Sequence, residues 1–139
     1  MQIRSIQRVV ILLSLIASSV AADTIPDFDE DGPFREGEGF GNPATCDTIG
    51  DWIDRVPEYD GRISMTITGE IVESHWDGAL AYLIMCEPEE VQVMCITYSP
   101  AEVNGETIMF AGGYNRSGER QVVLDPCLVF PNEASSDLK

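Results

Sequence analysis

RISMTITGEIVES, running from Arg62 to Ser74, is the stretch whose reading decides the fold. Ile63, Met65 and Ile67 alternate with Ser64, Thr66 and Thr68. That two-residue period is the mark of a strand with one face in a core. Past Gly69 the phase is lost, because Ile71 and Val72 are adjacent and both apolar. A strand must change faces or bulge at such a point, and a glycine beside it fits a sharp bend. The segment therefore reads as a long first strand, bent at Gly69, on which a small β-barrel closes. His75-Trp76-Asp77-Gly78 reads as the turn that follows it.

Four more strands follow in order. Ala79 to Cys86 (ALAYLIMC) is a continuous apolar run, as expected of a strand buried on both faces or covered by a helix. Glu87 to Glu90 is a turn, and Val91 to Tyr98 (VQVMCITY) a third strand with Val91, Val93 and Cys95 on one face. Ser99 to Gly105 connects to a fourth strand, Glu106 to Tyr114 (ETIMFAGGY). Asn115 to Gly118 turns the chain into a fifth, Arg120 to Phe130 (RQVVLDPCLVF). Pro126 within it requires an edge or a bulge, because proline cannot donate to a ladder. Ahead of the strands, Thr45 to Val56 (TCDTIGDWIDRV) is the helix candidate. Ile49, Trp52, Ile53 and Val56 share one helical face, which assigns Trp52 to the core. Thr45 is the expected N-cap, Asp47 an acid in the first turn, and Pro57 the stop. Gly50 weakens this helix by ~1 kcal/mol against alanine.

The first 22 residues read as a secretory leader: Arg4 and Arg8, then the apolar run Val9 to Ile16, then the small residues Ser18 to Ala22. Cleavage after Ala22 removes two of the eight basic residues and none of the 24 acids, leaving a net charge of −18. Such a surface repels phosphate backbones and anionic lipid heads. The mature chain is expected in the periplasm or secreted, with no stable membrane insertion and no nucleic-acid partner. Residues 23–44 are rich in Gly, Pro, Asp and Glu and read as an acidic flexible arm. Within them Asp27 to Glu38 fits the calcium-loop pattern, with Asp27, Asp29, Asp31 and Glu38 as carboxylate ligands and Gly32 at the sharp turn. Neither flank reads as helix, so no cofactor is expected, with calcium on this arm as the alternative. Residues 45–131 form the domain, and 132–139 a polar tail.

Four cysteines, Cys46, Cys86, Cys95 and Cys127, predict two disulfides in an exported domain. Their separations contain no CxxC and match no usual zinc spacing. A four-residue turn at Glu87 to Glu90 would set Cys86 opposite Val91 and Cys95 opposite Tyr82. The two cysteines would then lie about 13 Å apart along the strands, beyond disulfide reach. Two pairings stay open: Cys95–Cys127 with Cys46–Cys86, or Cys86–Cys127 with Cys46–Cys95.

Several short motifs stand in a telling order: Tyr59-Asp-Gly-Arg62 before the first strand, Ile67 to Val72 (ITGEIV) within it, Val91 to Cys95 (VQVMC) in the third, Asn104 to Ile108 (NGETI) before the fourth, and Val122 to Val129 (VVLDPCLV) in the last. In that order they resemble the tRNA-anti-like OB-fold domains found in exported bacterial proteins. The resemblance implies an all-β fold with a small α contribution, a five-stranded OB-fold-like barrel preceded by one short helix. It also implies that the third and fifth strands are neighbours, which favours Cys95–Cys127 and leaves Cys46–Cys86. The helix this fold usually carries between its third and fourth strands is cut here to Ser99–Gly105. The family name implies nucleic-acid binding, but Cys46 to Phe130 holds four arginines, no lysine and fifteen acids.

An OB-fold usually binds on the face of its second and third strands, between the first–second and fourth–fifth loops. That implies a site at His75 and Trp76 in the first loop and at Tyr114 and Arg116 in the second. One histidine, no free thiol once both bridges form, and no serine in an elbow motif leave no nucleophile–base pair. The expected function is an exported, non-enzymatic binding module that contacts a protein or cell-envelope component. The alternative is calcium binding or sensing by Asp27–Glu38.

Overall fold

The structure, a computed structural model, describes residues 27–131. The expected leader, 1–22, and the polar tail, 132–139, lie outside the described residues. The elements are β1 (Phe34–Glu36), α1 (Ile49–Ile53), β2 (Ile63–Trp76), β3 (Ala81–Met85), β4 (Gln92–Thr97), β5 (Thr107–Gly118) and β6 (Gln121–Pro131). Strands β2-β3-β4-β6-β5 are neighbours in that order, and β5 returns to pair with β2. The sheet therefore closes into a five-stranded, OB-fold-like barrel with one short helix before it. All pairings between strands are antiparallel except β4 with β6, the third and fifth strands of the barrel.

β2 is long because it serves two barrel strands in succession. Ser64 to Glu70 pair with β5, and Ile71 to Trp76 pair with β3. The extra residue that turns the strand between them is Val72, where the register shifts. The phase break in the sequence thus marks a bulge, three residues past the glycine at which a bend was expected. Gly69 has another role. A Cβ there would stand 3.0 Å from the Met85 sulfur and 3.1 Å from that of Cys46. Its missing side chain is what lets the barrel wall meet the first disulfide. Inside, Met65, Ile67, Leu83, Met85, Val93, Phe110, Val122 and Leu124 are fully buried.

The described part of the expected flexible arm, residues 27–44, is instead held against the sheet. β1 pairs with the start of β2, Phe34 opposite Met65, and Ala44 bridges to Ile67. Phe34 and Ala44 are buried. Gly39 and Gly41 N–H groups donate to the Ser64 and Thr66 hydroxyls, and the Thr66 N–H donates to the Pro33 carbonyl. Ser64 and Thr66, the polar half of the opening alternation, are therefore 4% and 0% exposed. They face outward from the barrel and are covered by the arm, with their polar atoms paired, as buried polar groups must be.

The helix is shorter than its apolar stripe, at five residues. The Thr45 carbonyl accepts from the Thr48 and Ile49 N–H groups, and the Thr48 hydroxyl accepts from the Thr45 N–H. Thr45 thus begins the turn without capping it through its side chain, and Thr48 holds the N-cap position. Ile49 and Ile53 enter the core; Trp52 is half-buried, with the Arg55 guanidinium 4.4 Å above its ring.

The disulfides are Cys46–Cys86 and Cys95–Cys127, each with Cα atoms 5.4 Å apart. This is the pairing implied by the family resemblance. Cys95 lies opposite Leu83, one place from the Tyr82 expected, because the β3–β4 connection is longer than four residues. Cys86 leaves the strand with φ 76° and joins Cys46 at the start of the helical turn. In β6 the register shifts at Asp125 and Pro126, beyond the last β4 pair at Leu124. Pro126 therefore sits at a bulge and on a free edge, as proline requires.

Candidate binding surface

The register places a row of outward-facing residues across five strands. Glu73 pairs with Ile84, Ile84 with Met94, Met94 with Val123, and Val123 with Asn115. Directly paired residues share a face. One step along, His75 pairs with Tyr82 and Tyr82 with Ile96. The alternate positions, Leu83, Val93, Cys95, Val122 and Leu124, are in the core. Tyr82, Ile84, Met94, Ile96 and Val123 are therefore the outer side of the same three strands, and each remains partly exposed. α1 does not cover them. Its Gly50 lies near Val91, and its Ile53 carbonyl accepts from Arg116, so it sits at the barrel end where β4 and β6 begin. The apolar run Ala79 to Cys86 is thus explained by a core on one side and an open apolar face on the other.

Acids edge this face. Glu73 is exposed beside Ile84. Asp77 Oδ1 accepts from the Ala79 and Leu80 N–H groups at 2.8 and 2.7 Å, and its Oδ2 from the Tyr82 hydroxyl at 3.2 Å. The Leu80 and then the Ala79 N–H bonds hold the Asp77 carboxyl below its ordinary value, the Tyr82 bond and nearby His75 adding to this. The bond to Asp77 raises Tyr82 above its ordinary value, and the charges of Asp77 and Asp125 act in the same direction. Asp125 is exposed at the bulge in β6. At the opposite border stands Arg120, whose side chain donates to the Glu90 carbonyl.

His75 and Trp76 lie in β2, not in the turn expected for them, and Arg116 lies in β5 rather than a loop; Tyr114, read both as the end of the fourth strand and as part of the loop site, is in β5. Cross-strand backbone pairing carries both strands past the end of their apolar alternation. His75 belongs to the outer face, its ring 6.1 Å from that of Tyr82. Trp76 pairs with Ala81 and so shares the inner side at the hairpin tip, 44% exposed. Arg116 donates to the carbonyls of Ile53, Gly118 and Glu119, which fastens the helix to the β5–β6 turn. Tyr114 is half-buried against Phe34, and burial raises its pKa. Trp76 lies at the Ala81–Thr97 end of β3 and β4, whereas the turn after Arg116 lies beside Gln92. The two expected halves of the site are thus at opposite ends of those strands.

In the Asp27–Glu38 segment, Asp29 Oδ1 accepts from the Asp31 N–H, and Glu38 stands 3.5 Å from Arg62. The carbonyls of Asp29, Glu30, Gly32 and Phe34 turn to the Arg35 guanidinium at 3.1, 2.6, 2.9 and 2.7 Å. Asp27 is exposed. Among the described residues no three His, Cys, Asp or Glu side chains stand close enough together to hold a metal ion. Elsewhere, a groove of about 400 Å³ lies beneath Phe40, between Arg62 and the small floor of Ala111 and Gly112, with Leu128 at its side.

No family model, no curated protein and no solved structure matches the chain. Among the described residues no helix is long and apolar enough to cross a membrane.

Proposed function

We propose that this protein is an exported, non-enzymatic binding module of the periplasm or the extracellular space, whose barrel contacts a protein or another cell-envelope component. The observation that carries this reading is the partly exposed apolar row Ile84–Met94–Val123, with Tyr82 and Ile96 beside it, on the outer side of strands whose alternate residues fill the core. An apolar sheet face beyond the needs of the core is the usual mark of a docking surface. Two intramolecular disulfides fit an oxidising compartment. All four cysteine sulfurs are tied in those bridges, and among the described residues His75 makes no hydrogen bond to a serine or threonine hydroxyl, which supports binding over catalysis. The acids at the edge support a partner other than nucleic acid.

A photo-crosslinking residue at Met94, in protein expressed in its native envelope, tests the reading. A specific adduct from Met94, absent when the same residue replaces Glu106 at the foot of β5, is the expected result. No adduct from Met94, or the same adducts from both positions, refutes it.

A further inference from the structure

We propose that the outer β3–β4–β6 face docks a basic, amphipathic segment of a partner protein, its apolar side on Ile84, Met94, Ile96 and Val123 and its cations against Glu73, Asp77 and Asp125. The proposal deepens the binding-module reading and rests on it. Three features select this occupant. The first is the shape of the patch. Five side chains in register on adjacent strands make a strip on the outside of a closed barrel, which can lie along one face of a helix or strand and does not enclose a small molecule. The second is its border. Glu73 flanks Ile84, Asp77 is bonded to the Tyr82 hydroxyl, and the exposed Asp125 follows Leu124, the last β6 residue paired with β4. Arg120 stands at the far border, beside Gln92, with its side chain on the Glu90 carbonyl.

The third feature is the charge of the whole chain, which excludes the other candidates. A second copy would bring the same acids against each other on a chain of net charge −16. An anionic lipid surface is repelled for the same reason. Residues 132–139 carry two acids and one lysine, so the chain's own tail has no complementary charge. A cationic partner is the one that gains from the field at every distance, and its apolar side gains from the strip once docked.

The probe is a synthetic peptide of about 18 residues with leucines on one helical face and lysines on the other. It is titrated into the mature, disulfide-bonded protein and followed by NMR. The expected result is saturable shifts centred on Ile84, Met94, Ile96 and Val123, with binding that weakens as salt rises. The same peptide with glutamate for lysine should not bind. Replacing Ile84→Ser with Ile96→Ser should weaken binding by about tenfold or more. Met94→Lys, which keeps the side chain long and needs no core rearrangement, should do the same by repulsion. Glu73→Gln with Asp125→Asn should flatten the salt dependence.

The proposal is overturned by an absence of shifts, by equal binding of the glutamate peptide, by shifts centred on Phe40 and Leu128, or by folded face variants that bind as wild type. Concentration-dependent shifts of the face without peptide would assign it to a second copy. The Met94 crosslink separates the two levels. An adduct in the native envelope together with a silent peptide titration leaves the binding module standing and removes the basic partner. Failure of both removes the module as well.

Discussion

Phe34 stands edge-on to Tyr114, with ring centroids 5.2 Å apart and planes at 81°. The contact joins a three-residue strand before the barrel to the middle of β5. It explains how an acidic, glycine-rich segment becomes ordered. One buried aromatic and a line of backbone hydrogen bonds to β2 offset the entropy of fixing it.

Phe34→Ala should therefore destabilise the whole protein, by about 3 kcal/mol or more. Urea denaturation with both disulfides intact measures it. An unchanged midpoint would mean that the arm contributes nothing to the barrel.

Arg35 should matter through its geometry as well as its charge. Its guanidinium spans four carbonyls, and a single ammonium cannot reproduce that fork. Arg35→Gln should cost about 1 kcal/mol. Arg35→Lys should fail to restore it, and both variants should speed hydrogen exchange at the Gly32 amide, which is bonded to the Asp29 carbonyl. Full rescue by lysine would show that charge alone holds the loop.

The two disulfides close spans of 40 and 32 residues. Loop entropy alone makes their contributions equal to within ~0.2 kcal/mol, each at ~2–4 kcal/mol. Paired alanine replacements of Cys46 with Cys86 and of Cys95 with Cys127, compared by denaturation, check this. Excess loss in the second pair would report the cavity left by Cys95, which is fully buried. Peptide mapping without reduction should yield these two pairs, and a Cys46–Cys95 peptide would contradict the structure.

Gly112 should tolerate no side chain. A Cβ there would stand 2.4 Å from the Pro126 carbonyl oxygen, so the bulge in β6 fits only against bare backbone. Gly112→Ala should lower stability by about 1–3 kcal/mol or shift the register of β6. Thermal unfolding and the Cys95–Cys127 linkage report the two outcomes separately.

Asp77 and Tyr82 set opposite ends of a pH profile. The Asp77 carboxyl is held below 3.8, so its stabilising bonds are complete above that value and are lost as the pH falls through its lower, folded value. Tyr82 is raised above 10.0, so its contribution is complete below that value and is lost as the pH rises through the higher, folded one. Asp77→Asn should remove this part of the acid sensitivity, seen as a smaller difference in denaturation midpoint between pH ~5 and pH ~2.5. Wild-type sensitivity in the variant would place the acid-labile group elsewhere.

The barrel itself was legible in the chain. Alternation from Ile63 to Thr68, the break at Ile71 and Val72, and the apolar runs of the later strands are local signals. Each records which side of a strand meets the core. Pro126 announced its bulge because a missing N–H cannot be hidden in a ladder. Even the outer face left a trace. Tyr82 and Ile84 are apolar where a solvated strand would be polar, although nothing in one sequence distinguishes a covering helix from an open surface. Other features depended on partners distant in the chain. β1 is a strand because Ser64, Thr66 and the backbone of β2 bond to it. His75, Trp76 and Arg116 are strand residues because their backbones are paired across the sheet, which leaves no mark in side-chain pattern. The helix spans only Ile49 to Ile53, the two residues of the apolar stripe that it buries, which the stripe alone did not mark. Side-chain periodicity is written residue by residue and can be read from the chain alone. Hydrogen-bond partnership between remote backbones is decided only when the sheet closes, and that closure is what divides His75 from Arg116 and opens the Ile84–Met94–Val123 face.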